Sequence, residues 1–256
     1  MNLMSSRDIR RKFGQNYLTD QSVLYKMAEA ISPASLDNFL EIGPGHGALT
    51  EQINIENINI TAVDIDPENI EKLKKKFIGP ASFEFLVGDI LKYEINSVEQ
   101  RVVGNLPYNI STQIILKLLD SCENIIDMHF LVQKEVAEKI AGQVGTKNWG
   151  KLAIKIAAFF DSEVLFDVPP EAFDIKPKVN SSFIRLMPNK NLRQNIDLKE
   201  NFFRLVDLAF VSRRKNIKNN LKNLNINWDE VGIDPIKRPE ELSLEDYLNL
   251  SKVKVF

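Results

Sequence analysis

Asn105-Leu106-Pro107-Tyr108 is the stretch of this chain best suited to gripping a planar amine. The Asn105 side-chain oxygen and the Leu106 backbone carbonyl are two acceptors one residue apart. Pro107 stiffens the turn, and Tyr108 offers a ring on which a base stacks. The exocyclic amine of a base such as adenine is a poor nucleophile, because its lone pair is delocalised into the ring. Two acceptors on its N–H groups favour a pyramidal nitrogen and expose that lone pair to an electrophile. In this reading the ring of Tyr108, rather than its hydroxyl, is the working part. A Pro-containing turn by itself is common. This one follows an apolar run that reads as a strand, where ligands of open α/β sheets bind.

Glu41-Ile42-Gly43-Pro44-Gly45-His46-Gly47 also follows a strand-like run and precedes a helical one. Glycines permit a sharp turn and close approach of a ligand to the backbone, and the helix start adds amide donors. Asp64 closes the next strand, 21 residues after Gly43, where a carboxylate can accept from ribose hydroxyls. Asp89, after Val87-Gly88, suits an adenine amino group. The spacing is G-x-G-x-G, unlike the G-x-G-x-x-G of dinucleotide enzymes. Together these features predict a cofactor with a single nucleoside. The plain alternative is a tight turn beside two strand-end acids.

These residues need elements to position them. From about residue 38, short apolar runs alternate with amphipathic ones. Strands are expected at Phe39–Ile42, Ile58–Val63, Phe83–Val87, Val102–Val103 and Ile125–Val132, and helices at Thr112–Leu119, Lys134–Ala141 and Trp149–Phe160. That alternation predicts an α/β fold with a mostly parallel sheet. Val164–Val168 and Val179–Leu186 read as an antiparallel pair at its edge. Around residues 188–197 the texture turns polar and Asn-rich. Beyond it Phe203, Val206, Phe210, Ile217 and Leu221 fall at helical spacing. The expected domains are 1–187, with a basic arm over 1–18, and a helical 188–256.

The 256 residues, 44% apolar and 27% charged, suffice for a sizeable core and exclude a disordered chain. The single cysteine, Cys122, excludes an intramolecular disulfide. With neither a secretory-type apolar core near the start nor a run long enough to span a membrane, the expectation is a soluble, cytoplasmic protein and a monomer. Net charge is −2, against a dedicated nucleic-acid binder, yet residues 186–256 hold 13 Lys/Arg and 10 Asp/Glu. Local patches, not the sum, attract nucleic acid.

The sequence resembles the KsgA/RsmA family of small-subunit ribosomal RNA adenine dimethyltransferases almost end to end. The resemblance rests on Phe13-Gly-Gln-Asn16-Tyr-Leu18, the glycine turn, Asn105-Leu-Pro-Tyr108, Val168-Pro-Pro-Glu-Ala-Phe173, Pro177-Lys-Val-Asn-Ser181, Arg213-Arg-Lys215 and Asn220-Leu221. It implies a Rossmann-like S-adenosylmethionine-dependent methyltransferase domain with a helical C-terminal domain. The implied reaction is N6,N6-dimethylation of two adjacent adenosines near the 3′ end of 16S rRNA in the 30S subunit, with a role in small-subunit biogenesis. Asn16, Leu18, Gly43, Asp64, Asp89 and Asn105 would line the cofactor site. Asn105, Leu106, Tyr108 and Phe173 would serve the base, with Phe173 stacking opposite Tyr108. The family usually carries Glu where this chain has Asp64, which raises the question of whether Asp66 shares the ribose.

Arg7, Arg10, Arg11 and Lys12 form a basic arm beside the first motif, expected to close over cofactor and RNA. Residues 201–222 hold six basic residues, among them Arg213, Arg214, Lys215 and Lys218, against one acid. They read as the basic half of a helix that binds RNA phosphates. His46 and His129 lack partners at metal-ligand spacing, and no metal is expected. Three rivals are weighed. Large-subunit methyltransferases conferring macrolide resistance more often carry Ile at the position of Leu106. A non-catalytic assembly factor has no need of Asn105 and Tyr108. A nicotinamide oxidoreductase fits neither the glycine spacing nor the absence of a proton relay.

Overall fold

The computed structural model describes residues 16–78, 82–95, 98, 100–189 and 199–252. Among them seven strands form one sheet: β1 (Asn38–Ile42), β2 (Asn59–Asp64), β3 (Ser82–Val87), β4 (Gln100–Asn105), β5 (Ile125–Gln133), β6 (Phe160–Val168) and β7 (Ser181–Pro188). Their order is β3-β2-β1-β4-β5-β7-β6. β3, β2, β1, β4 and β5 are parallel, and β7 runs antiparallel to β5. After β1 the chain builds outward through β2 and β3, then returns to add β4 on the other side. The reversal lies between β1 and β4, which is where such sheets open a crevice at their carboxyl ends. The expectation of a mostly parallel α/β sheet is met. β1 and β4 are buried along almost their whole length, as parallel strands covered on both faces must be.

Helices α1 (Gln21–Ile31), α2 (Ala48–Ile53), α3 (Pro67–Lys76) and α4 (Ser111–Leu118) connect or cover these strands. Asp20 caps α1 by accepting from the Ser22 and Val23 amides, and Leu24, Met27, Ala28 and Ile31 form its buried face. Asp66 caps α3, with Pro67 at its first position, the arrangement favoured at helix starts. Helices α5 (Lys134–Ile140), α6 (Lys151–Ala157), α7 (Lys199–Ala209), α8 (Ile217–Asn220), α9 (Trp228–Val231) and α10 (Leu244–Lys252) follow. None of the described helices is long and apolar enough to cross a membrane.

The chain divides into two compact units. The first takes the residues up to Ala137 together with Glu163–Met187, and the second takes Glu138–Ser162 with the residues from Pro188 onward. This differs from a single boundary at 187/188. Helix α6 brings buried Ala153, Ile154 and Ile156 to the second unit. There the Trp149 indole donates to the Leu242 carbonyl at 2.8 Å, Lys155 pairs with Asp207 at 2.9 Å, and Phe159 meets Phe203 edge-on.

In the first unit one ionic cluster anchors the amino-terminal side of the sheet. Buried Arg101 on β4 donates through Nε and Nη2 to Asp127 on β5, through Nη1 to Asp37 at 2.8 Å, and to the carbonyls of Ile31 and Ser32 at the end of α1. Removing one member of a buried ion cluster strands the others. Arg101→Met is therefore expected to destabilise the protein by about 3–5 kcal/mol. This would appear as a lowered urea midpoint followed by circular dichroism; an unchanged midpoint would show that the cluster adds nothing.

Candidate active site

The carboxyl ends of β1, β2, β3 and β4 meet around a cleft of about 290 Å³. Its lining includes Asn16, Gly43, Gly45, Asp64, Asp89, Asn105, Leu106 and Tyr108, with Ile65, Ile90, Leu91, Ile110 and Ile114 as its apolar walls. Most of the expected site residues, distant in sequence, therefore share one cavity.

The glycine turn is held from below. Gly43, Gly45 and Gly47 all have positive φ, a region that disfavours residues with a Cβ. At Gly45 a Cβ would also lie 2.6 Å from the Tyr17 ring. Asp64 at the end of β2 accepts from the Gly45 amide at 3.1 Å, the Asp66 amide at 2.9 Å and Asn69 Nδ2 at 3.0 Å. Burial raises its pKa, and those donors pull the other way. Asp66 lies outside the cleft and gives its Oδ1 to the Glu68 amide as a helix cap. The acid facing the cleft is thus Asp64. Asp89 accepts from the Leu91 amide through Oδ1; its Oδ2 has no protein partner among the described residues.

At the end of β4, Asn105 Nδ2 donates to the Asn16 carbonyl at 2.7 Å. A carbonyl can only accept, so the amide nitrogen faces Asn16 and Oδ1 is turned away from it. Leu106 is buried, and its amide donates to Leu131 on β5. Half-buried Tyr108 shares a 2.5 Å hydrogen bond between its hydroxyl and Ser181 Oγ on β7. Burial raises the Tyr108 pKa while the bond to Ser181 lowers it less, so the hydroxyl stays protonated at neutral pH.

Three expectations are corrected. Phe173 does not face the cleft. It is 3% exposed, inside a cluster with Leu24, Met27 and Phe183, and its backbone bridges Leu18. That bridge makes it an anchor for the segment at 16–18 and leaves its ring no open face for a base. Leu18 is likewise buried; it lines a neighbouring hollow of about 250 Å³ instead of the cleft. The basic residues at 213–215 do not lie on a helix. α7 ends at Ala209, and Asn220 fixes a turn by accepting from the Ser212 amide and donating to the Ser212 carbonyl. On this turn Arg213 donates to the carbonyls of Lys147 and Trp149, which makes it a structural tie. Arg214, Lys215 and Lys218 are exposed. Arg7, Arg10, Arg11 and Lys12 lie outside the described residues.

Tyr17 and Asn69 are residues that sequence reasoning passed over. The Tyr17 ring lies against the His46 ring with centroids 4.1 Å apart and planes tilted by 31°, and Asn69 connects the Tyr17 hydroxyl to Asp64. The position of Tyr17 inside the Asn16–Leu18 motif was a usable signal; nothing in the sequence marked Asn69, a residue in the first turn of α3.

A sequence model of the ribosomal RNA adenine dimethylase family matches residues 6–254. The chain belongs to that family. Its relatives include the ribosomal RNA small subunit methyltransferase A of Neisseria meningitidis, 39% identical with 97% of each chain covered. The protein of that name from Saccharophagus degradans is 40% identical, covering 97% of this chain and 95% of the other. Among solved structures, a dimethyladenosine transferase from Plasmodium falciparum superposes with a TM-score of 0.81 over 91% of this chain and 95% of its own, at 24% identity. The 23S rRNA methyltransferase ErmE does so with 0.72 over 93% and 98%, at 26% identity. This chain is therefore a ribosomal RNA adenine dimethylase with the Rossmann-like fold of S-adenosylmethionine-dependent methyltransferases.

Beneath the glycine turn, Glu41 is buried and accepts from the Thr50 hydroxyl at 2.6 Å. Burial first, and the nearby Asp64 charge in addition, push its carboxyl from 4.5 up to about 7 against the opposing Thr50 bond. Between these values the folded protein holds more protons than the unfolded chain, so this group makes stability fall as pH rises from about 4.5 to about 7. Glu41→Gln keeps an acceptor for Thr50 and cannot ionise. Urea titrations across that window should show the variant gaining on the parent with rising pH, by on the order of 3 kcal/mol in all. A difference independent of pH would show that burial leaves Glu41 unperturbed.

Proposed function

We propose that this enzyme transfers methyl groups from S-adenosylmethionine to the N6 amines of two adjacent adenosines near the 3′ end of 16S rRNA in the small ribosomal subunit. The product is N6,N6-dimethyladenosine. The full-length likeness to proteins named ribosomal RNA small subunit methyltransferase A supports the choice of RNA. The observation that carries the chemistry is the orientation of Asn105, whose nitrogen is committed to Asn16 at the mouth of a cleft built on Asp64 and the glycine turn.

The cleft fits the cofactor. Asp64 and Asp89 supply carboxylate acceptors, the turn at Gly43 and Gly45 admits close approach to the backbone, and the isoleucines and Leu91 offer an apolar slot for a base. When bound, S-adenosylmethionine supplies an electrophilic methyl group on a sulfonium. Asp64 would hold the ribose hydroxyls and Asp89 the adenine amine. Asn105 Oδ1 and the Leu106 carbonyl would accept from the N6 amine of the target base, and the Tyr108 ring would stack on it. The amine loses its proton to water after attack, so no strong base is needed; Tyr108, held protonated, is not one. Catalysis is then orientation and polarisation. Arg10, Arg11, Lys12, Arg214, Lys215 and Lys218 would meet RNA phosphates, with Arg213 holding their turn together.

Asn105→Ala is expected to keep the fold and part of the cofactor binding while slowing methyl transfer on the order of a hundredfold, as when one preorganised polar contact is removed. Single-turnover transfer to undermethylated 30S particles measures this. A wild-type rate would overturn the mechanism.

A further inference from the structure

Tyr108 is held from an unexpected direction. Its hydroxyl bonds to Ser181 Oγ, so the loop after β4 reaches past the end of β5 to the first residue of β7. Ser181 is fully buried and stands opposite Gln133 in the β5–β7 register. Its neighbourhood is fixed on both sides. The Lys134 amide donates to the Asn180 carbonyl at 2.9 Å, and Ser182 Oγ donates to Asp167 at 2.7 Å. Ser181 is thus a stationary post, and the ring tied to it lines the cleft.

The proposed reaction places two methyl groups on one nitrogen. In the first transfer the amine has two N–H groups, one for Asn105 Oδ1 and one for the Leu106 carbonyl. The C–S bond breaks, the N–C bond forms and one proton leaves to water. The monomethylated amine keeps a single N–H, so only one of the two acceptors still holds it. In the second transfer, which breaks and forms the same kinds of bond and releases the remaining proton, orientation of the base depends more on the stacked ring. We infer that Ser181 is a positioning residue whose hydroxyl, by fixing Tyr108, supports the second methyl transfer more than the first. This rests on the function proposed above.

The test is nucleoside analysis of 30S particles after reaction with excess S-adenosylmethionine, comparing wild type, Ser181→Ala, Tyr108→Phe and the double variant. Each single change removes the same bond with little change in volume. Both should raise the ratio of N6-monomethyladenosine to N6,N6-dimethyladenosine at matched turnover about fivefold, the scale of one neutral hydrogen bond. The double variant should add little, because the bond is already gone. Cofactor affinity of Ser181→Ala should match wild type. If Ser181→Ala does not fold, Tyr108→Phe carries the test alone. A wild-type product ratio in the folded variants, or equal slowing of both transfers, overturns the inference. Failure of the wild-type enzyme to make dimethyladenosine at all would instead overturn the function on which it rests.

Discussion

One carboxylate organises the site. Asp64 sits at the carboxyl end of β2 and accepts hydrogen bonds from the backbone of the glycine turn, the backbone of the turn into α3 and the side chain of Asn69. The glycine turn and the start of α3 are thereby referred to one buried charge. Burying it raises its pKa, and several donors offset part of that cost. The same group faces the cleft, so the residue proposed to hold the ribose also sets the shape of the loop around it.

A second constraint comes from the Asn16–Leu18 segment. It lies across the carboxyl ends of the strands, pinned by the Leu18–Phe173 bridge and by two bonds between Tyr17 and Asp174. From there the Asn16 carbonyl orients Asn105, and Tyr17 covers Gly45 and reaches Asn69. Asn105 is thereby aimed by a residue 89 positions away. The cofactor side and the base side of the cleft share one scaffold, which suits a reaction that depends on bringing an electrophile and a weak nucleophile into line.

The site was legible in the sequence because its parts are punctuation. Glycines, strand-end acids and a Pro turn each mark the end of a strand, and parallel strands deliver their ends to one edge. Tertiary pairing left no such mark. Phe173 follows Pro-Pro in a loop-like stretch, yet packing against Leu18 buries it. The helical spacing from Phe203 to Leu221 is real in pieces, but one helix ends at Ala209, Asn216 caps a new one and Asn220 ties back to Ser212, so Arg213, Arg214 and Lys215 fall on the turn between the two helices. The placement of Glu138–Ser162 with the C-terminal half depends on which core receives Ile154 and Ile156, and linear order carries no such information.

The central claim is that Asp64 both fixes the glycine turn and receives the cofactor. Calorimetric titration of S-adenosylmethionine into wild type and Asp64→Asn tests it most directly. Asparagine keeps the volume and one acceptor but sets an N–H against the Gly45 and Asn69 donors. The account predicts a loss of affinity of tenfold or more, in line with about 1–3 kcal/mol for unpaired buried polar groups, with native circular dichroism retained. Unchanged affinity in the folded variant would contradict it.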